Sequence, residues 1–164
     1  MIAHLRDTLV LIEELEAQAL ALDLDLEALP RVASSPLQSL GLSAALIATL
    51  HAESDPIQDF KHPWQFAAYA GIDPSRYDSG QMQGTRTPIS KRGSPYLRRA
   101  LYLGACSVYR RHKPFQRLYQ THRKKGRHHT NALIIVAHKL ARVIWRLLTD
   151  NRHFRTRPPQ PPNQ

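Results

Sequence analysis

Ile2, Leu5, Leu9, Ile12, Leu15, Ala19, Leu22, Leu26 and Leu29 recur at steps of three or four residues, averaging about 3.4, close to a coiled-coil repeat. That spacing predicts one long amphipathic helix over residues 1–30, which Pro30 ends. Such a stripe has two destinations: the protein's own core, or the same stripe on a second copy. Pairing between protomers is the expectation carried forward, making the chain a homo-oligomer through its N-terminal helix.

Helical spacing returns further along. Residues Leu37 to Leu50 are apolar and helical apart from Gly41, where two short helices meeting in a tight turn give a helix-hairpin-helix able to offer backbone N–H groups to phosphate. Ordinary helix packing explains the same residues. Pro63 stands at a first helical position before Trp64, Phe66, Ala67 and Tyr69, a short helix ended by Gly71. From Ile72 to Pro95 periodicity vanishes among Gly, Pro, Ser, Thr, Arg and Lys, so a long loop is expected, and loops of that length are usually functional or disordered. Tyr96 to Tyr109 forms a helix with Leu97, Leu101, Ala105 and Val108 on one face. Residues 110–129 mix charge and aromatics, with Pro114 as a break and Gly126 as a cap. The closing helix runs from Thr130 to Leu148, with Thr130 or Asn131 as N-cap. The fold class is therefore all-α: a coiled-coil-like helix (1–30), a helical domain containing a helix-hairpin-helix and a long catalytic-type loop (34–150), and a disordered Pro-rich tail (151–164).

Charge divides the chain into two regions. Residues 1–60 carry two Lys/Arg and ten Asp/Glu, net −8, whereas residues 61–164 carry 21 and three, net +18, which together give +10. The acidic helix is repelled by phosphates and the basic body attracted to them, so nucleic acid leads as partner. No apolar run approaches the ~20 residues that a transmembrane helix needs, and no membrane partner is expected. Cys106 is the single cysteine, which excludes an intrachain disulfide and a cysteine-based zinc site and fits a cytoplasmic, nucleoid-associated setting.

The densest clue is a basic stretch that includes Lys91, Arg92, Arg98, Arg99, Arg123, Lys124, Lys125 and Arg127, with Tyr96, Tyr109, Phe115 and Tyr119 interleaved for stacking on sugars or unpaired bases. Nine histidines raise a metal site, but no carboxylate lies between Asp78 and Asp150 to complete one. No metal site is expected, and His128 and His129 are assigned to phosphate contact or helix capping. Ser79, in Tyr77-Asp78-Ser79-Gly80, is the candidate nucleophile. A hydroxyl attacking a phosphodiester needs an approachable backbone and nearby cations, which Gly80, Gly84, Arg86, Lys91 and Arg92 supply. By spacing alone, a loop serine beside glycine is usually just a turn residue.

The run FAAYAGIDPSRYDSGQMQGTRTPISKRGSPYLRRALYLGA, residues 66–105, closely resembles the C-terminal transposase domain of the one-ten insertion-sequence family. LGLSAALIATLHAES before it is similar to that family's helix-hairpin-helix, and KGRHHTNALIIVAHKLARVIWRLL after it to the closing helix, so the resemblance covers roughly 37–150. It implies an RNA-guided DNA recombinase in which a RuvC-like domain with a DEDD set of acids binds Mg²⁺, a coiled coil follows, and the C-terminal domain supplies a nucleophilic serine. The serine maps onto Ser79, with Ser90 as the second candidate, and Arg86, Lys91 and Arg92 fall among the basic loop residues. DNA and a guide RNA are the implied partners. Two departures stand out: the RuvC-like domain is absent from these 164 residues, so no cofactor is expected within them and the chain is expected to be inactive alone, and Leu40 and Ser43 stand where the family places Pro and a second Gly.

Overall fold

A computed structural model describes residues 2–73 and 89–156. These form seven α-helices: α1 (Ile2–Ala28), α2 (Pro30–Ala33), α3 (Ala44–Ser54), α4 (Pro63–Tyr69), α5 (Pro95–Arg111), α6 (Lys113–Lys124) and α7 (His129–Asp150), with 3₁₀ turns at Pro36–Leu40 and Ile57–Asp59. The all-helical expectation holds for the described residues.

Local chemistry sets the boundaries. Ser43 and Ser94 cap α3 and α5 by accepting the N–H groups of Leu46 and Leu97 at 3.4 and 3.0 Å. Pro63, Pro95 and Pro114 all occupy a first turn, where a missing N–H costs nothing. Pro114 lies in the first turn of α6, just past the end of α5 at Arg111, so the expected break divides two helices at His112. The N-cap of α7 is His128, whose Nδ1 accepts the Thr130 N–H at 3.3 Å. Capping thus falls two or three residues before the expected Thr130 or Asn131. Around Gly41 the expected pair of helices is a five-residue 3₁₀ turn joined to α3, with Gly41 left-handed at φ 66°. Its carbonyl accepts from Arg111 Nη1 at 2.5 Å, which faces this turn toward α5.

The core lies between α5 and α7. Leu97, Leu101, Ala105 and Val108 pack against Val136, Ala137, Leu140, Ala141 and Ile144, all fully buried. Gly104 allows the two helices to approach: a Cβ there would stand 3.1 Å from Leu140 Cδ2 and 3.6 Å from Leu42 Cδ2. Ile47 and Leu50 of α3 and Phe66 of α4 close the remaining sides. Beyond Asp150, Asn151 turns left-handed, and Phe154 donates its N–H to Ser39 Oγ at 2.7 Å while its ring packs on His112 and Phe115, at 5.1 and 5.9 Å between centroids. Residues 151–156 are therefore tied down, and residues 157–164 lie outside the described part.

The first helix behaves differently. Leu5, Leu15 and Leu22 are 63%, 55% and 62% exposed, and only Leu26 reaches the core. Its stripe is not spent on its own domain. No helix among the described residues is long and apolar enough to cross a membrane.

Truncating Leu140→Ala removes the side chain that fills the α5–α7 contact, and a stability loss of about 2–5 kcal/mol is expected in urea unfolding. A loss under 1 kcal/mol would mean that the helices do not meet there.

Candidate nucleic-acid interface

Residues on either side of segment 74–88 are held together by backbone bonds. Ser94 donates its N–H to the Tyr69 carbonyl at 2.9 Å, Lys91 to Gly71 at 3.0 Å, and Ser90 to Asp73 at 2.9 Å. Two glycines make this approach possible. Gly71 is left-handed (φ 65°), and a Cβ there would overlap the Arg92 backbone, while Gly93 (φ 97°) lies against the Tyr69 carbonyl so closely that a Cβ would collide with it. The pattern AGID…SKRG is thus a clamp. Side chains reinforce it: Arg98 Nη1 donates to the Ala70 carbonyl at 3.2 Å, His138 Nε2 meets Asp73 Oδ1 at 3.0 Å, and Ser94 Oγ donates to Glu53 at 2.5 Å.

Lys91, Arg92 and Arg99 are exposed around this clamp, and Lys91 itself is left-handed at φ 53°. Arg98 is half-buried and spends a donor on α4. Ser79 and Arg86, the nucleophile candidate and a loop cation, lie outside the described residues. Ser90 belongs to the clamp and is half-buried.

A second cluster forms at the α6–α7 turn, where Arg123, Lys124, Lys125 and Arg127 are all exposed and Gly126 is left-handed. Arg123 Nη1 donates to the Arg127 carbonyl at 2.7 Å, which shapes the turn. His122 lies beneath with Nδ1 buried and unpartnered; burial, then the nearby Arg127 and Lys125, push its pKa down. The turn is positioned by Tyr119, which stacks on Tyr109 at 4.6 Å and bonds His129 Nδ1 at 2.6 Å. Since Arg98 and Tyr109 are separated by about 16 Å along α5, the two clusters occupy different ends of the body. Of the four aromatics expected to stack on nucleic acid, Tyr96 is 68% exposed, Tyr109 and Tyr119 are engaged with each other, and Phe115 is core.

The histidines are dispersed among separate tasks: His128 caps α7, His129 bonds Tyr119 and His138 holds Asp73. Among the described residues no three His, Cys, Asp or Glu side chains converge as a metal-ligand set. Sequence reasoning did not single out Lys139, Arg142 and Arg146, whose spacing along α7, opposite the buried Leu140 and Ile144 face, was the available signal.

Residues 37–120, which include the 3₁₀ turn, the clamp and most of α6, match the family model described as Transposase IS116/IS110/IS902 family. The chain belongs to this transposase family. It is 31% identical over 120 residues to an insertion element IS116 uncharacterized 44.8 kDa protein of Streptomyces clavuligerus, covering 73% of this chain and 30% of that one. A probable family 20 transposase of Pseudomonas aeruginosa is 32% identical over 123 residues, covering 70% and 33%. A pilin gene-inverting protein of Moraxella lacunata is 28% identical over 103 residues, covering 62% and 31%. The chain spans about a third of the length of these relatives.

The clamp glycines are separable from an ordinary glycine turn. At Gly126 a Cβ meets nothing within 4 Å, so Gly126→Ala bears only left-handed strain, about 1 kcal/mol. Gly93→Ala adds a backbone collision and is expected to cost more than about 2 kcal/mol in urea unfolding. Equal losses at the two positions would contradict the clamp.

Proposed function

We propose that this chain is the DNA-contacting, strand-transferring part of a transposase or recombinase, with Ser79 as nucleophile. The clamp carries the reading: the family's motif residues pin both ends of the segment that contains Ser79 and surround its base with Lys91, Arg92 and Arg99. In the proposed step the Ser79 hydroxyl gives up its proton, Oγ bonds to phosphorus, and the P–O bond to a deoxyribose oxygen breaks, leaving a hydroxyl that takes up a proton. Cations around the phosphate stabilise the charge on its equatorial oxygens. Arg86 is assigned to the same role, and Arg123, Lys124, Lys125 and Arg127 to the flanking backbone. The resemblance adds Mg²⁺ and a guide RNA for a complete enzyme. The described residues hold no ligand set for Mg²⁺, so no step here runs through it.

Exposed α1 is proposed to pair with a second copy. Leu5, Ile12, Ala19 and Leu26, with Leu15, Leu22 and Leu29, keep an unbroken seven-residue register. Thr8 falls on the same seam, its hydroxyl bonded to the His4 carbonyl at 2.8 Å so that it presents a methyl group. An antiparallel arrangement places His4 and Arg6 opposite the Asp23, Asp25 and Glu27 of the partner, which relieves the repulsion of a parallel pair.

Incubation with DNA and a denaturing gel test the chemistry. Wild-type chain, supplied with the relatives' N-terminal portion in trans if needed, is expected to give a protein–DNA adduct that Ser79→Ala abolishes with affinity retained. An adduct surviving in Ser79→Ala would remove the assignment, and binding without any adduct would leave a non-catalytic binding module. Lys124→Gln with Lys125→Gln is expected to lower the log–log salt slope by about two for duplex DNA. Deleting residues 1–28 is expected to convert a dimer to a monomer in sedimentation equilibrium; a dimer that persists would exclude the α1 seam.

A further inference from the structure

On a face formed by α7, the start of α4 and the C-terminal segment lies an open groove of about 1110 Å³. Lys139, Arg142 and Arg146 descend one side of α7, and Arg152 and Arg155 continue the line. The single lining carboxylate, Asp150, lies one turn along α7 from Arg146, which already holds it at 2.7 Å. Among the described residues none of Lys139, Arg142, Arg152 or Arg155 has an acidic partner within 4 Å. Four uncompensated cations along one concave surface repel one another, and a polyanion laid along them relieves that repulsion.

Three features show that the groove is built rather than incidental. Phe154 is anchored on Ser39, His112 and Phe115, which holds Arg152 and Arg155 against the end of α7. Trp145 lines the groove with its ring fixed by an Nε1–H bond to the Phe60 carbonyl at 2.8 Å. His62, on the opposite wall, stacks on Trp64, with planes 13° apart and Trp64 60% exposed. Cations that follow a backbone beside held aromatic rings are the requirements for an unpaired strand, whose bases need flat surfaces that a duplex keeps to itself. The upper end of the groove adjoins the clamp, because Lys139 follows His138, which holds Asp73.

We infer that this groove binds a single nucleic-acid strand, its phosphates along Lys139, Arg142, Arg152 and Arg155 and its bases against Trp145 and the His62–Trp64 stack. It is a third basic tract, separate from the clamp and from the α6–α7 turn, and it does not depend on Ser79 being a nucleophile. The ligand chemistry is the phosphodiester backbone with unpaired bases, which DNA and RNA share.

The test uses the full chain and fluorescence anisotropy over a salt series with labelled dT12, rU12 and a 20-base-pair DNA duplex. The variant Lys139→Gln/Arg142→Gln/Arg152→Gln/Arg155→Gln is expected to lose at least tenfold in single-strand affinity and to lower the single-strand salt slope by about two to three. Its loss on duplex is expected to stay under threefold, while Lys124→Gln/Lys125→Gln shows the opposite ranking. Arg142→Lys/Arg152→Lys/Arg155→Lys, which keeps the charges, is expected to bind within threefold of wild type and separates lost charge from lost folding. A loss confined to dT12 identifies a DNA strand, one confined to rU12 an RNA strand, and one on both a groove blind to the sugar. Unchanged single-strand binding, or a loss confined to duplex, overturns the inference. So does competition by a (Glu)12 peptide as effective as that by dT12, since the groove would then be a sink for any acidic chain.

Discussion

Close contact between α5 and α7 is the constraint on which the other elements depend. Gly104 and the alanines at 105, 137 and 141 remove bulk where the helices cross, and Leu140 fills what remains. With the axes so near, α3 and α4 pack along the sides and α6 folds back by way of Tyr109 and Tyr119. The same contact fixes His138 relative to Asp73, so the position of the clamp is an outcome of core packing and not of loop sequence alone. It also directs the opposite side of α7 outward, where its cations line the groove. Both basic ends of the body and the groove between helix and C-terminal segment are therefore placed by one apolar junction.

Much of this was legible in the chain. Helical spacing gave α5 and α7 to within a few residues, and Pro63 and Gly71 bracketed α4, because each signal is local. What escaped detection depended on side chains meeting across distance. Pro114 marked the break between α5 and α6, but the aromatic and charged surroundings hid the apolar anchors Phe115, Leu118 and Tyr119 that give α6 its buried face. His128, offered by the sequence for phosphate contact or capping, is the cap of α7, although histidine fills that role less often than serine or asparagine. Gly71 was read only as the end of α4 and Gly93 as a loop residue, and nothing in their spacing told that residues 69–73 and 90–94 would bond to each other. Arg98 looked like one more cation in a basic run, yet half its value is spent on the Ala70 carbonyl.

The candidate site divides in the same way. Basic composition announced a polyanion, and the family motif located a serine in a loop, but composition is blind to which cations share a surface. Lys91, Arg92 and Arg99 gather at one end and the 123–127 group at another, two regions that a single stretch of sequence makes look continuous. The aromatic residues show the converse: Phe115 and the Tyr109–Tyr119 pair, interleaved with charge in sequence, face inward, whereas Trp64 and Tyr96 face outward.

Set apart from the body, α1 gives the molecule a large electric dipole. Net charge of −8 over residues 1–60 and +18 over the remainder means that a distant polyanion exerts a torque as well as an attraction. Near a polyanion the molecule is turned before contact, with the clamp and the α6–α7 turn leading and the acidic helix trailing. Orientation during approach narrows the rotational search that otherwise limits association. It also keeps the apolar stripe of α1 away from the polyanion and open on the side where another protein chain can reach it.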